Sequence, residues 1–434
     1  MQPECLSSLL QQNQALKLLL RSVLAQAPVL DSTTVHRIQH CLCLYDQPKA
    51  RDYVTSLPRD VLLLLFACLD YADICCFSSC SHVLSEISRT DSLWISLLRR
   101  RWTGRTDLST PRQAYKTQHS LEMRWYYHRP VVSTLKGYRG TITSISFLPP
   151  SSSFLATSDD GSAGLWHYQD QANLSTDLFQ QHHRQTKAVY RTASFYGHGG
   201  PVWASAVTAS KLATGSSDMT VKLWGKAGKC EGTLRGHGNW VTALAAIGER
   251  LVSGSYDATV RLWDVESRTE LAAYQQEAVE DLIYALDLRP DQVVTGSLFP
   301  ALTVRDLVTG EVLARLQGHE DAVSTVKFAE EHVLASGGKD QTVRLWDKRT
   351  GSTEEVLRGH TSNVMCLAVQ WEARRVVSGS HDKTICVWDL RKSAAPRSVL
   401  MGHSAAIFCL QCTDNKIVSG SSDKTIKIWN FNSC

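Results

Sequence analysis

The chain has 434 residues, long enough for more than one domain and a large core, and its 43% apolar and 20% charged residues are an ordinary soluble composition. A net charge of +4 argues against a nucleic-acid partner, which draws a stronger basic footprint. No apolar run reaches the roughly 18 residues needed to span a membrane, so no membrane partner is expected. The charge excess lies in residues 1–130, with 15 Lys/Arg against 11 Asp/Glu; the rest holds 31 of each. The 13 cysteines follow no disulfide framework, which predicts reduced thiols and a cytoplasmic and/or nuclear location.

Residues 1–50 read as a helical segment. Leu6, Leu9, Leu10, Leu16, Leu20, Val23 and Leu24 recur at three- and four-residue steps and share one face. Pro28 and the Asp31-Ser-Thr-Thr cluster break the pattern, and a second helix is expected over Val35–Leu44. The pair packs on the next domain or serves as a homodimerisation segment. Cys41 and Cys43 have no matching second half, so no metal site is expected.

Residues 55–100 form the next unit. Leu57-Pro58 precedes a helix whose apolar stripe is Val61, Leu62, Leu65, Phe66 and Leu69. Pro58 suits a first helical turn, and Asp60 suits its positive end. Asp70 to Asp73 is a turn, a short helix follows with Ile74 and Phe77, and a third ends near Leu84–Ile87, before Leu93-Trp94. Some 40 residues in short helices build a poor core alone and leave apolar surface for a partner. The stretch resembles the F-box. It departs at Ser79-Cys80-Ser81-His82-Val83, where that family has Val-Cys, a basic residue and Trp. The resemblance implies docking on the Skp-type adaptor of a cullin-RING ubiquitin ligase. It implies contacts by Leu57, Pro58, Val61, Leu62, Leu65, Phe66, Ile74 and Trp94.

Residues 101–130 are a linker. Arg99 to Arg105 is a basic run at the end of the preceding helix. Thr110-Pro111 reads as a helix start, and the helix should run through Gln113–Tyr127. Its end, Trp125-Tyr126-Tyr127, is expected to pack on the following domain, making it a rigid spacer.

Residues 131–434 repeat. The clearest copy runs from Leu234-Arg-Gly-His-Gly-Asn-Trp-Val through Leu251-Val-Ser-Gly-Ser-Tyr-Asp257 to Trp263-Asp264. Similar copies surround His198, His319, His360 and His403. Trp166, Trp224, Trp263, Trp346, Trp388 and Trp429 close the copies. The gap from Trp263 to Trp346 is 83 residues, twice the usual spacing, and a degenerate copy from Gln292 to Asp306 fills it. Seven units with this period and these β-branched runs predict a seven-bladed β-propeller of four-stranded blades. In five copies the Trp follows the turn Asp by six residues, and the His precedes that Asp by 20 to 22. These units resemble the WD-repeat family. The resemblance implies buried structural tetrads, matched by His237, Ser253, Asp257 and Trp263 and by His360, Ser378, Asp382 and Trp388. The last copy holds three strands, so Val131–Leu135 is expected to supply the fourth. Tyr138 replaces His in blade one, and residues 169–187 form a polar insertion. In the degenerate blade Val279, Phe299 and Arg305 take the His, Asp and Trp positions, which suggests drift of that unit or, equally, an exposed apolar contact at Leu298-Phe-Pro300.

Positions identical in every repeat are scaffold, so the tetrads are not catalytic sets. Positions that vary are binding candidates. One set, three residues after the His, holds Pro201, Trp240, Leu282, Ala322, Asn363 and Ala406. The other, just before the turn Asp, holds Ser217, Tyr256, Lys339, His381 and Ser422. By the resemblance both line the upper rim, where Trp240, Tyr256, Leu282, Lys339, Asn363 and His381 are the candidate substrate-binding residues. Arg261, Arg305 and Arg344 fall outside that rim, so an arginine-lined phosphate pocket is not expected. The predicted architecture is mixed and mainly β: a seven-bladed WD-repeat propeller preceded by an all-α F-box and helical segments. The resemblance implies the substrate receptor of an SCF-type ubiquitin ligase, bridging the adaptor, with its cullin and RING subunits, to a protein substrate. It would need no cofactor, metal or catalytic residue. A scaffold or transport adaptor without ligase activity is the alternative.

Overall fold

A computed structural model describes residues 59–67, 71, 74–75, 78, 82–101, 110–127, 129–149, 152–168, 189–276, 281–392 and 395–431. The expected helices of residues 1–50, the Leu57-Pro58 start and the 169–187 insertion lie outside them. The chain divides into two compact units, Met1–Ser120 and Leu121–Cys434.

In the first unit, helix α1 (Arg59–Ala67) packs against α2 (His82–Ser88) and α3 (Asp91–Arg101). Leu62 and Phe66, one helical turn apart, are buried on one face of α1. Leu84 and Ile87 of α2 and Leu93, Trp94, Leu97 and Leu98 of α3 are buried too. The Trp94 indole N–H donates to the Ser88 carbonyl at 2.7 Å, satisfying the end of α2. Helix α4 (Pro111–Tyr127) begins with Pro at its first position, as expected. Tyr115 packs on Trp94 at 5.2 Å between ring centroids, and the boundary between the units falls inside α4.

The second unit is a ring of seven four-stranded antiparallel sheets. Blades one to six cover 142–195, 202–235, 241–275, 283–317, 323–358 and 364–401. Blade seven takes three strands from 407–430 and its outer strand from Val131–Leu135, with Val132 opposite Trp429. The expected closure is therefore observed, and the third strand of blade seven is paired rather than left as an edge.

Neighbouring blades fit through one repeated contact. The second strand of a blade carries a glycine, and the first residue of the next blade's innermost strand is Val or Ile. A Cβ on Gly254 would stand 2.7 Å from Ile283, one on Gly337 2.6 Å from Val364, and one on Gly420 2.5 Å from Ile142. Gly215, Gly296 and Gly379 meet Val241, Val323 and Ile407 in the same way. Those six β-branched residues have no exposed surface. Blade one has Thr157 there, and its seam is polar: Thr157 shares a 2.9 Å hydrogen bond with Thr143, which donates to the Val202 carbonyl.

Each tetrad fixes a blade's upper edge. In blade three His237 Nδ1 lies 2.9 Å from Asp257 and Nε2 lies 2.7 Å from Ser253 Oγ. The Trp263 indole N–H donates to Ser253 at 2.8 Å. Asp257 also accepts from the Gly238 N–H and from the Thr259 N–H and hydroxyl. The set is complete in blade two around His198, blade five around His319, blade six around His360 and blade seven around His403. In blades five to seven the Trp ring closes on the glycine before the His; a Cβ on Gly402 would stand 3.0 Å from Trp429.

Two blades solve the same problem differently. In blade one Ala156 lacks the hydroxyl of Ser253, and the Tyr138 hydroxyl replaces it, accepting from Trp166 Nε1 and donating to the Ala156 carbonyl, both at 3.0 Å. Blade four has not simply drifted. Gln276 donates to Thr295 at 2.9 Å and accepts from Arg305 at 3.2 Å, and all three are buried. Arg305 also donates to the Gly310 and Gln275 carbonyls. A tetrad has been exchanged for another buried hydrogen-bond network. Val279 lies outside the described residues.

The end of α4 packs on the propeller, as expected. The Trp125 indole N–H donates to the Asp414 carbonyl at 2.7 Å, its ring stacks on Phe431 at 4.1 Å, and the Arg375 guanidinium covers it. Arg391 pairs with both Glu122 and Asp389.

Two outcomes test these contacts. Gly254→Ala should cost about 1–3 kcal/mol, the range for an overfilled core, by forcing Ile283 off its seat. An unchanged urea midpoint would show that the ring accepts the methyl group. The second concerns pH. Burial holds His198, His360 and His403 below their ordinary value of 6.5, outweighing the adjacent aspartates. Burial alone would raise the tetrad aspartates, but hydrogen bonds from Thr, His and backbone groups win and hold Asp218 down to about 2. The unfolded chain therefore binds more protons in both ranges, and stability is lost as the pH is lowered. The melting temperature should decline first below pH 6.5, as the unfolded histidines charge, and again below 3.8, as the unfolded aspartates protonate. A flat profile from pH 8 to 5 would refute the histidine contribution.

Candidate functional site

The innermost strand of every blade carries a bulge after its first residue. Pairing skips Thr143, Trp203, Thr242, Tyr284, Ser324, Met365 and Phe408. A bulge leaves its extra residue unpaired and re-aims the side chain. All but Ser324 line the central cavity, which encloses roughly 360 Å³. Sequence reasoning missed this set. Its signal was present: the residue after the constant Val or Ile changes from blade to blade.

The two variable sets read from the sequence are neighbours in space. The N–H of the residue before the turn Asp donates to the carbonyl of the residue three after the His, or its equivalent. Ser217 bonds to Pro201, Tyr256 to Trp240, Leu298 to Leu282, Lys339 to Ala322, His381 to Asn363 and Ser422 to Ala406, at 2.8 to 3.0 Å. Both sets therefore stand on the loops joined to the tetrads.

Side chains of three sets meet in one line. Trp203 stacks on Trp240 at 6.0 Å and 14°, and Trp240 stacks on Tyr256 at 5.7 Å and 20°. Tyr256 meets Tyr284 edge-on at 5.5 Å, and Lys339 Nζ lies over the Tyr284 ring at 4.8 Å. The line crosses blades two to five. Trp240 remains 41% exposed, enough to offer an aromatic face to a partner. Farther round, His381 packs on Phe408 at 5.3 Å. Leu282 and Asn363 are half-buried and make no ring contact. Exposed Leu298 and Phe299 extend the apolar surface beside Leu282.

The electrostatics of this line are simple. Burial, then the neighbouring Tyr284 hydroxyl, pushes the Tyr256 phenol up to about 12, so it stays protonated. Burial, then Lys339, pulls His381 below its ordinary value, so at neutral pH it is uncharged. His381 thus adds no positive charge there. Lys339 has no carboxylate partner among the described residues.

Other predicted residues have structural positions. Ser253 and Ser378 have no exposed surface, and their hydroxyls are held between Trp and His. They cannot reach an outside carbonyl, so the tetrads His237, Ser253, Asp257, Trp263 and His360, Ser378, Asp382, Trp388 hold the fold. In the helical unit Leu62, Phe66, Ile74 and Trp94 are buried, so in this conformation their side chains form its core. Val61 and Leu65 lie on α1, but their side chains, like Leu57 and Pro58, fall outside the described residues. Burial pushes the Cys366, Cys409 and Cys412 thiols up, away from the reactive thiolate. Among the described residues no group of three or more His, Cys, Asp or Glu could hold a metal. No described helix is long and apolar enough to cross a membrane.

Comparison with known proteins agrees with this geometry. The family described as WD domain, G-beta repeat matches residues 129–167, 190–225, 228–264, 310–347, 351–389 and 394–430, more than half the chain. The F-box domain family matches residues 54–96. Gln276, Thr295 and Arg305, the exchanged network of blade four, fall in the interval between residues 264 and 310 that the repeat family leaves unmatched. The chain is 33% identical over 129 residues to the WD repeat-containing protein pop2 of Schizosaccharomyces pombe, covering 26% of this chain and 18% of that one. It is 33% identical over 105 residues to Cell division control protein 4 of Saccharomyces cerevisiae, covering 24% and 13%. The nuclear distribution protein PAC1-1 of Uncinocarpus reesii is 29% identical over 308 residues, covering 64% and 65%. The chain thus spans less than a fifth of the first two relatives. Among solved structures, the WD40 β-propeller domain of Doa1 superposes with a TM-score of 0.61 at 20% identity, covering 71% of this chain and 99% of that domain, which is a likeness of fold. With six matched repeats, a seventh blade and a matched F-box, the chain belongs to the WD-repeat family and is an F-box/WD-repeat protein.

Proposed function

We propose that this chain is the substrate-recognition subunit of an SCF-type cullin-RING ubiquitin ligase. The observation that carries the reading is the joining, in one chain, of an F-box at residues 54–96 to a propeller whose rim carries an aromatic line with Trp240 exposed. Receptor-like architecture of this kind needs no chemistry of its own; binding and orientation are its contribution. The Skp-type adaptor, and through it cullin and RING subunits, binds the helical unit through Leu57, Pro58, Val61 and Leu65. The buried Leu62, Phe66, Ile74 and Trp94 set the shape of that surface from beneath.

A protein substrate binds the rim at Trp240, Tyr256, Leu282, Lys339, Asn363 and His381. Trp240 and Tyr256 are the anchors, because large aromatic rings held by stacking lose little freedom on binding. The second reading is a WD-repeat scaffold or transport adaptor without ligase activity; a relative similar over 64% of the chain is named a nuclear distribution protein.

Affinity purification with mass spectrometry separates the two. Leu57→Ala/Pro58→Ala should cut adaptor and cullin recovery at least about tenfold, or about 1.4 kcal/mol, while sparing rim partners. Trp240→Ala should keep the adaptor and lose the rim partners. Wild-type protein that recovers no adaptor would overturn the receptor reading in favour of the scaffold.

A further inference from the structure

The rim contacts define the chemistry of what binds there. The inference rests on the rim being the substrate site, and it assigns the class of substrate. From Trp203 to Tyr284 the line offers rings from four loops and strands, with Trp240 exposed. Such a surface takes a large apolar or aromatic side chain. An aromatic face also attracts cations. Here that choice is decided by Lys339, whose ammonium already sits over Tyr284 at one end of the line. Its positive charge repels a second cation and has no carboxylate to neutralise it among the described residues. Its complement is an anion.

The anion is a single charge. Phosphate recognition draws on several cations or on a planar guanidinium fork. His381, the nearest candidate for a second cation, is kept neutral by burial and by Lys339 itself. Arg344 and Arg305 are buried beneath the rim, in the repeated strands. One ammonium matches one carboxylate.

The contacts of 5.7, 5.5 and 4.8 Å between successive groups keep Lys339 Nζ within about 16 Å of the Trp240 ring. Extended chain covers roughly 3.3–3.6 Å per residue, so anchor and carboxylate lie within about five residues of each other.

We infer that the rim recognises an unmodified peptide segment carrying a large apolar side chain, seated on Trp240, with an Asp or Glu within about five residues that pairs with Lys339. The test is selection of unmodified random 12-residue peptides displayed on phage against the full chain, its Lys339→Glu variant and its Trp240→Ala variant. Thermal melting confirms that each variant is folded.

Wild-type protein should enrich peptides with an aromatic residue or Leu and an acidic residue at the stated spacing. Lys339→Glu should keep the apolar preference, weaken the selected peptides at least about tenfold, and turn the charge preference toward Lys or Arg. Trp240→Ala should erase the apolar preference. Peptides without acidic enrichment, or a Lys339→Glu variant with unchanged selection, would overturn the assignment. So would a matched phosphoserine peptide binding more than about tenfold tighter than its Glu form, since that result makes the site a phosphate reader. Failure to recover the adaptor, with peptide selection intact, would instead remove the ligase reading and leave this one standing.

Discussion

The ring exists because blades come closer than side chains on both faces would allow. At six of the seven seams a glycine of one blade receives a Val or Ile of the next, and every one of those β-branched residues is sealed from solvent. A blade cannot bury its own faces, so its apolar residues are satisfied only by its neighbours. The seam therefore does for the propeller what a continuous core does for a compact domain. It also fixes the first residue of each innermost strand, and the bulge that follows is set from that fixed point. The rim side chains Trp203, Tyr284 and Phe408 are presented by the same device that packs the ring.

Above the seam, each blade needs its upper loops tied down, and hydrogen bonding does this in three ways. Five blades use the His, Asp, Ser or Thr, and Trp set. Blade one supplies a missing hydroxyl from Tyr138, whose ring is covered by Arg191 at 4.9 Å. Gly164 leaves the space that this arrangement fills, since a Cβ there would meet both side chains. Blade four uses Gln276, Thr295 and Arg305. The constant requirement is satisfaction of buried polar atoms, and residue identity is one means among several. With Phe299 in place of the aspartate, blade four is also the blade whose upper loop exposes Leu298 and Phe299.

Much of this was legible in the sequence, for a physical reason. Repetition lets one copy be checked against the others, so blade number and the closing strand followed from spacing, while the tetrads followed from the family resemblance. The two variable rim sets were legible by the same logic in reverse. Less was legible where a single unit departs from its neighbours. The exchange in blade four depends on Gln276, which precedes the position where a histidine was sought, and linear comparison could not align it. The bulged residues were hidden because strand patterning assigns alternate faces, and a bulge resets that alternation. The joining of Trp203, Trp240, Tyr256, Tyr284 and Lys339 into one line depends on the ring bringing different repeats side by side.

The closing strand carries a consequence in time. Thr134 bonds to Lys427, a partner 293 residues away along the chain. At ribosomal speeds of roughly 5–20 residues per second, the interval between making these two segments is on the order of 15 to 60 s. Throughout that interval Val131–Leu135 is a strand without its sheet, and blade one faces no seventh blade. The helical unit, made earlier and built from local contacts, has no such wait. Newly made chains would therefore pass through a stage with a finished helical unit and an unclosed ring, in which exposed strand edges invite pairing with other chains. For such a molecule the interval before closure, more than the stability of the finished ring, sets its exposure to chaperones and proteases during synthesis.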